Sequence, residues 1–317
     1  MAGAGACLTL LLLAGCGRDP VVPPIQTDPP ITSFDFLPGP WSVTVSAVGA
    51  GGAVTESTAE AIVERSLGGR ALKETWVGTL GGATVEMRTL VVRSDAVGQW
   101  ITARADGGAG TFDVLEGRFG QSAIVLTSRG GTRPDGGLSR ETFESVTDSS
   151  FVRRSERSDD GGATWVEVWS MEYVRGLAGP PAGPAVAAGC QAPEHRQFDF
   201  WEGAWSVGGA TNDLIPLLGG CVLEENWSSS SESGTSFNMF DDRTGLWYQV
   251  WTDTNGLTAI TYGGLVQSQM ILSGPHLAAT IRITWTPLGS DVRQRGETSP
   301  DGGTTWTTDY DIRYTPR

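Results

Sequence analysis

Lysine is all but missing from this chain: Lys73 stands alone among 317 residues, and histidine occurs only as His195 and His276. The second half therefore has no amine for Schiff-base chemistry, no H-E-x-x-H occurs, and two cysteines with a distant histidine offer too few ligands for a metal site. Positive charge is scarce overall. The formal net charge of -14 argues against nucleic acid, because such partners are held by clustered Lys and Arg. Long apolar runs are missing as well; Leu8–Leu13 is far too short to cross a bilayer. Helical periodicity is largely absent, and Ser57–Arg65 is the best candidate for a short turn of helix. There is no G-x-S-x-G elbow and no Ser-His-Asp arrangement.

What is plentiful is glycine, proline and tryptophan: 44, 17 and 12 residues. With hydrophobic residues at 39% and charged ones at 18%, the composition is that of a turn-rich all-β protein with real cores. Two strings organise it. Phe34–Val43 reads FDFLPGPWSV and Phe198–Val207 reads FDFWEGAWSV, and each opens a segment that closes on Asp-Gly-Gly-x-Thr-Trp. Between them Leu67-Gly68-Gly69 with Leu72, Glu74 and Trp76 matches Leu218-Gly219-Gly220 with Leu223, Glu225 and Trp227. Further on, Gln121-Ser122 matches Gln267-Ser268, and Trp165 matches Trp306. This is an internal duplication. The offset between copies shrinks along the chain, so the first copy carries extra residues, most of them between Trp41 and Leu67.

The boundaries follow. Residues 1–15 read as a signal segment, 16–33 as a proline-rich tether, 34–175 as the first domain, 176–193 as a Pro/Gly/Ala linker and 194–317 as the second domain. In the last strand Trp306, Thr308, Tyr310, Ile312 and Tyr314 alternate with Thr307, Asp309, Asp311 and Arg313. The first copy repeats this with Trp165, Glu167, Trp169, Met171 and Tyr173. An aromatic face of that length must be buried, and an antiparallel meander closed into a barrel buries it without leaving an open edge. On this register Asp309 and Asp311 are expected outside.

Leu13-Ala14-Gly15-Cys16 resembles the lipobox of bacterial lipoproteins, in which the signal peptide is cut before the cysteine and that residue is acylated. No Lys or Arg precedes Cys16, a departure from that pattern, and Gly17 leans towards the outer membrane. The expected localisation is the bacterial envelope, with the lipid as the membrane partner. Cys7 leaves with the signal, so Cys190 and Cys221 remain as a pair for a disulfide in an oxidising compartment. Closing that loop is worth roughly 3–4 kcal/mol on the chain-entropy model.

FDFWEGAWSV, GGCVLEENW (Gly219–Trp227), GTSFNMFDDRTGLWYQVWTD (Gly234–Asp253) and VRQRGETSPDGGTTW (Val292–Trp306) resemble an uncharacterised bacterial family of calycin-like, lipocalin-like β-barrels. The resemblance covers nearly all of the second domain; the first reads as a diverged copy. It implies two antiparallel barrels of eight to ten strands in tandem, and no activity or cofactor comes with it. The closing strings also fit the Asp-box pattern of sialidase-like propellers, S-x-D-x-G-x-T-W, at Ser158–Trp165 and Ser299–Trp306. A propeller needs one box per blade, every forty to fifty residues or so. These lie 141 residues apart, so they read as hairpin turns with structural aspartates.

Candidate chemistry is thin. Glu224, Glu225, Glu297, Asp309 and Asp311 could supply a carboxylate pair, but a charged exterior is the plainer reading. Arg282, Arg293, Arg295 and Arg313 suit cross-strand ion pairs. His195 or His276 could ligate haem, yet the first copy has no histidine. Six tryptophans of the second domain, Trp205, Trp227, Trp247, Trp251, Trp285 and Trp306, fill the core or line a cavity. The ligand-binding candidates are Trp205, Trp247, Trp251, Trp285, Trp306, Tyr310 and Tyr314. The expected function is a non-catalytic envelope lipoprotein binding a small apolar ligand, with no nucleic-acid partner. The alternative is a structural or interaction lipoprotein with filled barrels.

Overall fold

The computed structural model describes residues 33–80, 83–120, 123–128, 137–176 and 189–317. Cys16, the signal segment and nearly all of the tether and linker lie outside them. The first copy runs through β1 (Gly39–Val48), β2 (Val54–Ser66), β3 (Ala71–Leu80), β4 (Ala83–Ser94) and β5 (Gln99–Asp106). It continues through β6 (Thr111–Phe119), β7 (Ile124–Ser128), β8 (Leu138–Glu144), β9 (Ser150–Ser158) and β10 (Val166–Arg175). The second copy has β11 (Gly203–Val207), β12 (Ala210–Leu217), β13 (Val222–Ser228), β14 (Ser233–Asp241) and β15 (Leu246–Asp253). Then follow β16 (Thr258–Val266), β17 (Gln269–His276), β18 (Ala279–Leu288), β19 (Asp291–Ser299) and β20 (Thr307–Pro316). Each set of ten is an antiparallel meander closed on itself, by β1 on β10 and by β11 on β20. The protein is all-β, two barrels in tandem.

The duplicated opening string is the plug of each barrel. Phe34 meets Trp100 and Phe143 edge-on, with ring centroids 5.0 Å away in both cases. Phe198 repeats this on Trp247 and Trp285, at 5.5 and 5.1 Å. Trp41 donates its indole N–H to the Leu37 carbonyl at 2.7 Å, and Trp205 donates to that of Trp201 at 2.9 Å. Rings in these tilted arrangements gain about 0.5–1.5 kcal/mol per pair beyond burial, so one end of each barrel is closed by aromatic packing. The closing strings are hairpin turns. Asp160 accepts the Thr164 amide and hydroxyl at 2.9 and 2.7 Å, and Asp301 accepts those of Thr305 at 2.8 and 2.7 Å. These bonds hold both exposed carboxyls at about 2.

The barrels pack outer face to outer face. Leu90, Val92, Ile101 and Ala103 of the first meet Phe237, Met239, Tyr248 and Val250 of the second in one buried apolar cluster. The pairing is reciprocal: β14 packs on β6, and its counterpart β4 packs on β16. That is the signature of a two-fold related interface. Lys73 binds Glu224 at 2.5 Å on its edge, and Arg243 reaches across to Asp113 at 2.8 Å. Cys190 and Cys221 form a disulfide within this cluster, tying the chain that enters the second barrel to the start of β13.

Local readings of the sequence are corrected in three places. Ser57–Arg65 is strand, part of β2; Ala59, Ala61 and Val63 are buried at alternate positions and pairing on both sides overrides helix propensity. A bulge in β10 between Glu167 and Trp169 breaks the period, so Glu167 leaves the inner face and pairs with Arg154. The counterpart in β19–β20 lies between Gly296 and Glu297 and leaves Asp309 unpaired in the ladder. Asp309 therefore stands at the mouth of the second barrel, bonded to Thr298 at 2.5 Å. Asp311 is outside, as expected, on Arg293 at 2.7 Å.

Candidate functional site

The interiors of the two barrels differ although their strands correspond. In barrel one a network of ions crosses the lumen. Arg153 donates to Glu141 at 2.9 Å and to Glu74 at 3.0 Å, Tyr173 donates to Glu74 at 3.1 Å, and Arg104 joins Glu141. Arg104 also binds Asp113 at 2.7 Å. Burial opposes charge at Asp113, but Arg104 and Arg243 still hold its carboxyl below the usual range. Trp169 lies over both guanidinium groups, at 5.1 and 5.8 Å. Paired charges and packed rings together fill this barrel.

Strand register maps each of these positions onto barrel two. Glu74 becomes Glu225, Arg104 becomes Trp251, Glu141 becomes Ile283, Arg153 becomes Gln294 and Trp169 becomes Tyr310. Both arginines and two of the three carboxylates are lost, Asp113 falling on Ala259. In their place is a cavity of about 540 Å³ open at the end opposite the aromatic plug, within the range for small-molecule sites. Its walls are Trp227, Trp251, Tyr310, Ile283 and Ile312; its floor is Glu225, Gln249, Gln294 and Tyr314. Two glycines keep it open. The Trp251 ring lies against Gly234 and the Tyr310 ring against Gly296, so close that a Cβ at either glycine would come within 2.2 Å of a ring carbon. Barrel one has Met87 and Ser155 at these positions.

Glu225 is the electrostatic centre. It is 3% exposed and accepts from Asn212 at 2.8 Å, Ser236 at 2.7 Å and Gln249 at 3.4 Å. All three donors are neutral. Burial pushes its pKa up to about 7, and the bonds from Ser236 and Asn212 only partly offset this. Tyr314 donates to Gln294 at 2.6 Å, and burial next to Glu225 holds its phenol well above the ordinary value. The mouth carries His276, Asp309 and Glu297, the last held by Arg282 at 2.8 Å.

Of the residues singled out from sequence, Trp251, Tyr310 and Tyr314 line the cavity. Trp205, Trp247 and Trp285 belong to the plug, because the Phe198–Trp201 segment enters the barrel and packs on them. Trp306 sits on the closing hairpin beneath Arg282, 3.9 Å from its ring. His195 is fully buried away from the cavity, bonded to Asp242 at 3.0 Å. Gln249 and Gln294 escaped notice in the sequence because a neutral amide has no motif; the substitution of Arg153 by Gln294 between copies was the available signal. No group of three or more metal-ligating side chains occurs among the described residues.

No family model and no curated protein matches the chain. Among solved structures it is similar to the S-type phycobiliprotein lyase CPES from Guillardia theta, at 14% identity and a TM-score of 0.35, over 46% of this chain and 92% of that one. It is also similar to a protein of unknown function of the DUF3598 family from Nostoc punctiforme, at 12% identity and a TM-score of 0.27, over 88% of this chain and 94% of that one. The barrel architecture itself stands on the strand pairing described above.

Proposed function

We propose that the chain is an envelope-tethered, non-catalytic binding protein that takes a small, mainly apolar ligand into barrel two. One observation carries the reading: the same scaffold is filled with ions in the first copy and hollow and ring-lined in the second. Keeping Trp251 and Tyr310 against glycines maintains apolar surface facing a lumen, which a purely structural barrel gains nothing by exposing. The filled first barrel serves as a rigid mount. Tethering rests on Leu13-Ala14-Gly15-Cys16, whose lipobox resemblance would place acyl chains on Cys16. More than one chain is what stable anchoring requires. The motifs that resemble calycin-like proteins agree with a lipocalin-like mode of binding.

Native mass spectrometry of the protein purified from its own host tests this. A retained small molecule, released when the barrel is unfolded, is expected. A clean apo mass in repeated preparations, together with no binding of an apolar probe, would move the protein to the structural class.

A further inference from the structure

The two copies are an internal control for each other, and they differ most pointedly at one charge. Glu74 in barrel one has a guanidinium against it, Arg153 at 3.0 Å. Glu225 occupies the matching position in barrel two and has none, because the matching residue is Gln294. The other groups around the Arg153 guanidinium are Glu141, Phe143 and Trp169. Their counterparts are Ile283, Trp285 and Tyr310, and Ile283 and Tyr310 line the cavity. The carboxylate and its aromatic surround have been kept while the cation has been removed.

Building on the reading that this lumen is a ligand site, we propose that its ligand is an organic cation, an amine or guanidinium on an apolar body, seated on Glu225 where barrel one seats its own Arg153. The remaining lining supports this. Among the described residues Glu225, Glu232, Asp253 and Asp309 line the lumen with no arginine or lysine on them, and Arg282 is held by Glu297. Trp227, Trp251 and Tyr310 present the ring faces that a desolvated cation favours. A ligand anion would meet carboxylates from several sides.

The test compares four ligands of one shape: 4-phenylbutylguanidinium, 4-phenylbutylamine, 4-phenylbutanol and 4-phenylbutyrate, titrated by calorimetry at about pH 8.5, where both cations are charged and Glu225 is ionised. The cations are expected to bind about tenfold or more tighter than the alcohol, with the carboxylate weakest. Glu225→Gln is expected to bring the cations down to about the level of the alcohol. Gln294→Arg, which rebuilds the ion pair of barrel one, is expected to weaken both cations by about tenfold or more. Where Glu225→Gln does not fold, the same loss is read in the wild type at about pH 5.5. The groups facing Glu225 are Asn212, Ser236, Gln249, Tyr310 and Tyr314, and both phenols are held above their ordinary range; His276 stands at the mouth. An alcohol that binds as tightly as the cations, or a cation preference that survives Glu225→Gln, overturns the proposal and leaves the apolar lumen standing. If none of the four ligands and no neutral fluorophore such as N-phenyl-1-naphthylamine binds, the lumen reading fails with it.

Discussion

Glu74 and Glu225 hold the same place in their barrels, yet only Glu74 is paired with an arginine. Glu225 keeps hydrogen bonds and loses its counter-charge. The raised pKa of Glu225 goes with this difference, which is the sharpest contrast in charge between the two halves.

The first consequence is a pH dependence of stability. The native pKa of Glu225 is about 7, above the ordinary 4.5. Between these values the native state binds more protons than the unfolded state, so stability is full below about 4.5 and falls as pH rises through about 7, by roughly 3 kcal/mol in total. Urea unfolding across that range is expected to show the loss in the wild type and not in Glu225→Gln. Parallel curves for the two proteins would mean that Glu225 ionises freely.

Barrel one responds in a different way. Arg153 is 4% exposed and neutralises two buried carboxylates. Arg153→Met leaves Glu74 and Glu141 without that partner and is expected to cost about 3–5 kcal/mol. Replacing all three together with apolar residues is expected to recover most of the loss, since the paired ions repay little beyond their own desolvation. Denaturant midpoints decide between these outcomes. A single variant as stable as the wild type would show that water already reaches the network.

The two barrels unfold together on this account, because Phe237, 1% exposed, lies in the cluster they share. Phe237→Ala is expected to cost about 3–5 kcal/mol and to split one calorimetric transition into two. An unchanged single transition would argue that the interface contributes little to either barrel.

Much of the architecture was legible in the sequence. The duplicated strings marked where each barrel begins, the alternating aromatics marked the closing strands, and Cys190 and Cys221 were the pair available for a bridge. The site was less legible, for two physical reasons. A strand pattern tells inside from outside but not how far along the barrel axis a ring sits, so Trp205, Trp247 and Trp285 looked the same as Trp251. A bulge reverses the pattern with no marker of its own: Gly296 and Asp309 make room for it, and neither residue announces a break in period. The cavity was written instead in differences between the copies, at Arg104 and Trp251, Glu141 and Ile283, Arg153 and Gln294.

The central claim is that one lumen, that of barrel two, is open and the other is full. It is tested most directly by fluorescence titration with N-phenyl-1-naphthylamine of the wild type and of Gly296→Val, whose new side chain would drive the Tyr310 ring into the cavity. One probe per chain in the wild type, and its loss in the variant with the fold intact by circular dichroism, is the predicted result. Two sites per chain, no site, or binding that ignores Gly296→Val would contradict it.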